Sequence, residues 1–256
     1  MIESNINQNA YIIRINRPKV NAIDSETLKA LENEIKKATE DIETNSILIT
    51  GEGSFFSFGL DIPSFLELNR EDLKLSIHRL LNICKIIYLS NKITISVING
   101  HATGGGCMLA ISTDFRLMVD QRAKIALNEI NIGLSLFSST IAMLRNSIGL
   151  NKAKKFLLTG ELISPESAKD IGLVDELYTK DELFKKSLEF AHSFEGKNPL
   201  IIKNMKQELM KLSSKELNDS DESIEEFLDI FYLPETQKIL EGICQILQKL
   251  VVLFYY

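Results

Sequence analysis

Only three cysteines occur in the 256-residue chain, Cys84, Cys107 and Cys244, and no two of them stand at CxxC spacing. This argues against a disulfide framework and against a cysteine-rich zinc site, and the thiols read as core residues of a protein from a reducing compartment. No uncharged apolar run approaches the ~20 residues of a membrane span, and the opening MIESNINQNA is polar, with no apolar stretch after a basic one. A soluble cytoplasmic protein that engages no membrane is the expectation. Positive charge is also short: 29 Lys and Arg stand against 35 Asp and Glu, for a net charge of −6. Such a balance gives no global field that would attract nucleic acid.

Several catalytic signatures are missing too. There is no GxSxG elbow, no HExxH and no early GxGxxG at a strand-to-helix turn. Gly100 and Gly105 have the glycine spacing of a phosphate loop, but Gly106-Cys107 follow where Lys-Ser/Thr is required, which speaks against ATP or GTP hydrolysis. The three histidines, His78, His101 and His192, are isolated in sequence and read as surface or packed residues, so no metal is expected.

What is present is a hydrophobic content of 45%, ample for a substantial core. YIIRINRP, SETLKALENEIKKATED and NSILITGEG read as strand, helix and strand, from β-branched enrichment and then apolar spacing of period 3.6. A helix over about Glu71–Leu89 follows, then the apolar run ITISVING, a glycine-rich turn, the apolar CMLAIS and a strand in DFRLMVD. This alternation predicts an α/β protein with a largely parallel, buried sheet. From about Leu136 onward the segments read as helices, with Pro165 at a first helical position. Ser213–Ser223 reads as a loop or helix start. The closing VVLFYY reads equally as an interface or as packing on the chain's own core.

Three segments carry candidate chemistry. Phe55-Phe56-Ser57-Phe58-Gly59-Leu60-Asp61-Ile62 follows a strand, where α/β proteins place ligands. In Asn99-Gly100-His101-Ala102-Thr103-Gly104-Gly105-Gly106-Cys107, three consecutive glycines let the backbone approach a ligand and leave N–H groups unpaired at a helix start. In Ala126-Leu127-Asn128-Glu129-Ile130, one carboxylate sits among apolar residues, which suits a base of raised pKa. Each alone also fits a plain loop or turn.

Together with Arg17-Pro18-Lys19-Val20-Asn21-Ala22-Ile23-Asp24, TDFRLM and LTGELISPESAKDIGLVDEL, these segments resemble the crotonase (enoyl-CoA hydratase/isomerase) superfamily in order and spacing, from about residue 10 to 180. The resemblance implies a crotonase-like ββα spiral core over 1–195. It also implies a C-terminal helical trimerisation region over 196–256, and a homotrimer or hexamer. It implies an acyl-CoA substrate, with coenzyme A entering only as part of the thioester and no separate cofactor. The backbone N–H groups of Phe58 and Gly105 are the implied oxyanion hole, although Phe58 departs from the small residue common there. Lys19, Val20, Gly59, Leu60, Asp61 and Ile62, with Gly104 and Asn128, match positions along the CoA and acyl path. His78 and Tyr88 are candidates for the pocket wall.

Hydratases of this family use two glutamates. Here the first of those positions is Met108, whose thioether cannot accept a proton from water, while the second retains Glu129. This pattern resembles the Δ3,Δ2-enoyl-CoA isomerases and predicts that Glu129 shuttles a proton from C2 to C4. A hydratase with a displaced second acid, a decarboxylase, a thioester hydrolase and a non-catalytic acyl-CoA or partner-binding module stay open as alternatives.

Overall fold

The computed structural model describes residues 1–211 and 216–253. Its larger sheet holds six strands in the order β1 (Ile2–Asn7), β2 (Ala10–Ile15), β3 (Ser46–Gly51), β5 (Ile93–Ile98), β7 (Phe115–Val119) and β9 (Glu176–Tyr178). Only the β1–β2 pair is antiparallel. β3 and β5 lie in the middle and are buried at every position, which is why they read in sequence as short, unbroken apolar runs. A smaller parallel sheet holds β4 (Phe55–Ser57), β6 (His101–Thr103) and β8 (Ile125–Ala126), in that order.

The two sheets are wound by one repeating step. A long strand enters the larger sheet, a short strand then enters the smaller one, and a helix follows. β3 leads to β4 and then to α2 (Ile62–Leu66) and α3 (Arg70–Tyr88); β5 leads to β6 and α4 (Gly105–Ile111). β7 leads to β8, then to a 3-10 turn (Glu129–Ile132) and α5 (Ser138–Ile148). Between β2 and β3 runs α1 (Ser25–Glu40), whose Leu28, Leu31, Ile35 and Ala38 are buried at helical spacing and whose first turn is capped by Asp24 accepting from the Thr27 N–H at 2.8 Å.

The remaining elements are α6 (Leu150–Thr159), α7 (Pro165–Asp170), α8 (Lys180–His192), α9 (Pro199–Met210), α10 (Asp221–Phe231) and α11 (Pro234–Leu253). Gly149, at φ +79°, separates α5 from α6 within a stretch that is helical in its sequence pattern. α10 returns to the core: Arg70 reaches Glu225 at 2.7 Å and Asp229 at 2.6 Å, and Lys74 reaches Glu225 at 2.6 Å. α11 lies against α2 and the 3-10 turn. Within Ser213–Ser223, residues 213–215 lie outside the described residues, and α10 starts at Asp221 with Ser220 as its cap. The side chains of VVLFYY likewise lie outside the described residues.

Two strands of the larger sheet escape the sequence pattern, as do the two- and three-residue strands of the smaller one. β1 exposes almost every side chain, so it has no apolar alternation, and β9 spans three residues that are exposed or half-buried. Both are edge strands held by backbone pairing rather than by burial.

Candidate active site

The three parallel strands of the smaller sheet end side by side, and each delivers one piece of the site. After β4 comes Phe58–Asp61, after β6 Gly104–Gly106, and after β8 Leu127–Glu129. The Gly104 N–H donates to the Ala126 carbonyl at 3.0 Å, which carries the pairing of β6 and β8 one residue into the loops.

Glycines bring the first two loops into contact. A Cβ at Gly59 would stand 2.7 Å from the Thr103 carbonyl oxygen and 2.9 Å from the Gly105 nitrogen, and one at Gly106 would stand 2.3 Å from the Ser57 carbonyl oxygen. Gly59 also takes φ +94°, a conformation that side chains disfavour. On the far side, Thr103 Oγ1 donates to the Phe58 carbonyl at 3.0 Å.

The Phe58 N–H is not available to a ligand, contrary to the sequence expectation. It donates to the Val20 carbonyl at 3.0 Å, fastening this loop to the segment 17–24. Two residues on, the Leu60 N–H has no acceptor among the described residues, and neither does the Gly105 N–H at the first position of α4. A Cβ built on Gly105 would lie 3.6 Å from the Leu60 nitrogen, so the two residues with free N–H groups stand side by side. The pair of backbone donors is therefore Leu60 and Gly105. The clue in the sequence is Gly59 itself: a residue at positive φ turns the next N–H out of the bonding pattern that holds Phe58.

Glu129 closes the third side. Its Oε1 lies 3.6 Å from where a Cβ on Gly104 would project. The residue is buried, and Oε2 has no hydrogen-bond partner among the described residues. Burial pushes the carboxyl up from 4.5 to about 7, against a smaller opposing effect of a backbone hydrogen bond. No charged side chain contributes to that shift. Met108 is buried one turn into α4.

The turn that carries Glu129 is gripped on both sides. Asn131 donates its amide to the Gly160 carbonyl at 2.8 Å, at the end of α6. Gly133, at φ +75°, ends the turn, and Thr236 of α11 donates to its carbonyl at 3.5 Å. These partners come from segments far apart in sequence and leave no local signal.

The other expected residues divide by role. Val20 supplies the carbonyl just described. Asp61 is held by Arg17 at 2.6 Å and Ser64 at 2.8 Å, and Arg17 also reaches Asp24 at 3.0 Å, so Asp61 braces the loop. Ile62 starts α2. Lys19 is exposed at φ +109°, two residues from Asn21, whose buried side chain accepts from the Arg17 N–H and donates to the Glu52 and Phe55 carbonyls. The Asn128 carbonyl accepts from the Asn131 N–H at 3.0 Å and starts the turn. His78 and Tyr88 do not join these residues. His78 stands 3.5 Å from Asp221, and Tyr88 lines a cavity of about 660 Å³ beneath α9 whose walls include none of Leu60, Gly105 and Glu129. Among the described residues no three His, Cys, Asp or Glu are grouped to hold a metal ion, and no helix is long and apolar enough to cross a membrane.

A winding of ββα steps that sets two free N–H donors beside a buried carboxyl defines a class of acyl-thioester enzymes, and comparison with known proteins places the chain within it. Residues 5–251 match the enoyl-CoA hydratase/isomerase family, and the chain belongs to that family. It is 32% identical to a short-chain-enoyl-CoA hydratase of Clostridium acetobutylicum, over 77% of this chain and 76% of that protein. It is 30% identical to the mitochondrial enoyl-CoA delta isomerase 1 of Mus musculus, over 69% of this chain and 62% of that protein. The crystal structure of an enoyl-CoA hydratase from Bacillus halodurans superposes with a TM-score of 0.86 at 27% identity, covering 94% of this chain and 99% of that one. The protein is thus an enzyme of the crotonase type, with the mixed α/β fold of that superfamily.

Proposed function

We propose that the enzyme converts 3-enoyl-CoA into 2-enoyl-CoA with Glu129 as its one base. The observation that carries this reading is a single buried carboxyl among the described residues, raised to about 7 with no charged partner, beside the Gly104–Gly105 loop that holds a free backbone N–H next to that of Leu60. The thioester oxygen accepts from Leu60 and Gly105. Glu129 removes a proton from C2; the C–H pair forms a C1–C2 double bond and the C=O π pair moves onto the thioester oxygen, giving a dienolate that keeps the C3–C4 double bond until the pairs shift back on protonation at C4. Glu129 then returns the proton to C4 and the double bond lies between C2 and C3. A base whose pKa lies near neutrality is ionised enough to take the proton and acidic enough to give it back. The two donors face charge that develops only during reaction, and each is worth about 3 kcal/mol there.

Hydration is the second reading, favoured by the larger number of relatives named as hydratases. Met108 speaks against it, because water addition needs a second group to hold and deprotonate the water. Purified protein mixed with 3-hexenoyl-CoA, beside 2-hexenoyl-CoA as a hydration control, separates the two. Formation of 2-enoyl-CoA from 3-hexenoyl-CoA without 3-hydroxyacyl-CoA is expected; formation of 3-hydroxyacyl-CoA from 2-hexenoyl-CoA with 3-hexenoyl-CoA left unchanged would overturn the isomerase. A trimer or hexamer built on residues 196–256 and placed in the cytoplasm belongs to the same proposal, and sedimentation equilibrium of the full chain checks the assembly.

A further inference from the structure

Helix α11 runs over both halves of the site. Near its start, Ile239 brings Cδ1 to 3.4 Å from where a Cβ on Gly133 would project, beside the buried Thr236. Five residues on, Cys244 is half-buried, and α11 packs against α2, which begins at Ile62 directly after the loop that carries Leu60. Five residues of helix span about 7.5 Å. One stretch of α11 therefore reaches from the helix that follows the loop of an oxyanion donor to the end of the turn that bears Glu129.

A thioester seated between those points has its oxygen at Leu60 and Gly105 and its C2–C4 atoms at Glu129. Gly133, against which Ile239 packs, ends the turn that begins at Glu129, so an acyl chain that continues past C4 along that turn would meet Ile239. Ile239 is 43% exposed although it touches the end of the turn that carries Glu129, and apolar surface left open at a binding site favours cover by an apolar ligand. Gly133 adds to the argument: with no Cβ of its own, the end of the turn leaves the contact to the isoleucine.

We propose that Ile239 closes the acyl end of the site and sets the length of acyl chain that the enzyme accepts. This rests on the acyl-thioester reading above and not on the direction of the double-bond shift.

The test uses the full chain and saturated hexanoyl-, octanoyl- and decanoyl-CoA, with binding measured by calorimetry and turnover of the matching 3-enoyl-CoA series measured beside it. Ile239→Ala removes three side-chain carbons and is expected to improve decanoyl-CoA binding relative to hexanoyl-CoA on the order of tenfold, the scale of discrimination that a methylene-sized change gives in an apolar pocket. Ile239→Phe is expected to move the ratio the other way. Ile239→Val, a milder change, gives a smaller shift in the direction of alanine and keeps the test alive if the alanine variant fails to fold. Ratios that stay constant across all variants would overturn the proposal, because a residue that only packs α11 weakens every length alike. Shifted binding ratios without turnover of any 3-enoyl-CoA would uphold the role of Ile239 while removing the isomerase reading. Failure of the unaltered enzyme to bind any of the three thioesters would overturn both.

Discussion

A single carbon added to Gly59 would lie 2.9 Å from the backbone nitrogen of Gly105. Those two residues stand 46 positions apart in sequence, yet their contact fixes the spacing of the two N–H donors, because Leu60 follows directly on Gly59. Gly59→Ala meets two penalties at once: a backbone at φ +94° and a clash with the Thr103 carbonyl oxygen at 2.7 Å. The expected cost is about 3–5 kcal/mol of stability, from strain and overpacking together. Folded material is expected to lose turnover by more than the stability loss alone explains. Denaturant unfolding beside steady-state kinetics measures both, and an alanine variant with unaltered kcat would remove Gly59 from this role.

The ionisation of Glu129 sets the pH profile. As the base must be charged, kcat/KM for a 3-enoyl-CoA is expected to rise with pH through about 7 and to level off above it. A rise centred near the ordinary carboxylate value of 4.5 would mean that the group is solvated in the working enzyme.

The same carboxyl affects stability in the opposite sense. Below pH 4.5 both the folded and the unfolded chain hold the proton, and the group costs nothing. Between 4.5 and about 7 the unfolded chain releases the proton while the folded chain keeps it, so stability falls as pH rises, and above about 7 the penalty is constant. Its size is about 3 kcal/mol. Glu129→Gln is therefore expected to be inactive and, near pH 8, more stable than the parent by about 2 kcal/mol. Urea unfolding at several pH values checks this; a stability difference that is independent of pH would contradict the buried, uncompensated charge.

Asn21 holds the segment 17–24 against the first loop through three hydrogen bonds from a buried side chain at φ +51°. Replacing it with alanine leaves the Arg17 N–H and the Glu52 and Phe55 carbonyls short of a partner. A loss of about 3 kcal/mol is expected, with KM for the thioester rising because the Val20 carbonyl no longer steadies Phe58. Thermal unfolding and kinetics check the two parts separately.

Much of this was legible in the sequence, and the rest was hidden for definite reasons. β3 and β5 announced themselves as apolar runs because both of their faces are buried, whereas β1 has no inward face to declare it. Glu129 stood out because its neighbours are apolar. The donor lies at Leu60 rather than Phe58 because the Phe58 N–H bonds to Val20, a partner 38 residues away in sequence, and Gly59 at positive φ is the local sign of that turn. Asn131, Gly160 and Ile239 were invisible as neighbours of the catalytic turn because only the winding of the chain brings them there.

In the proposed reaction the thioester oxygen is met by the main-chain nitrogens of Leu60 and Gly105, so neither the Leu60 side chain nor that of nearby Phe58 carries any of the electrostatic duty. Phe58 is 40% exposed and Leu60 is half-buried. Mutational drift at these two positions is therefore free to remodel the walls around a substrate while the charge-stabilising machinery stays as it is. Substrate choice and bond chemistry in this enzyme can evolve, and be engineered, as separate traits.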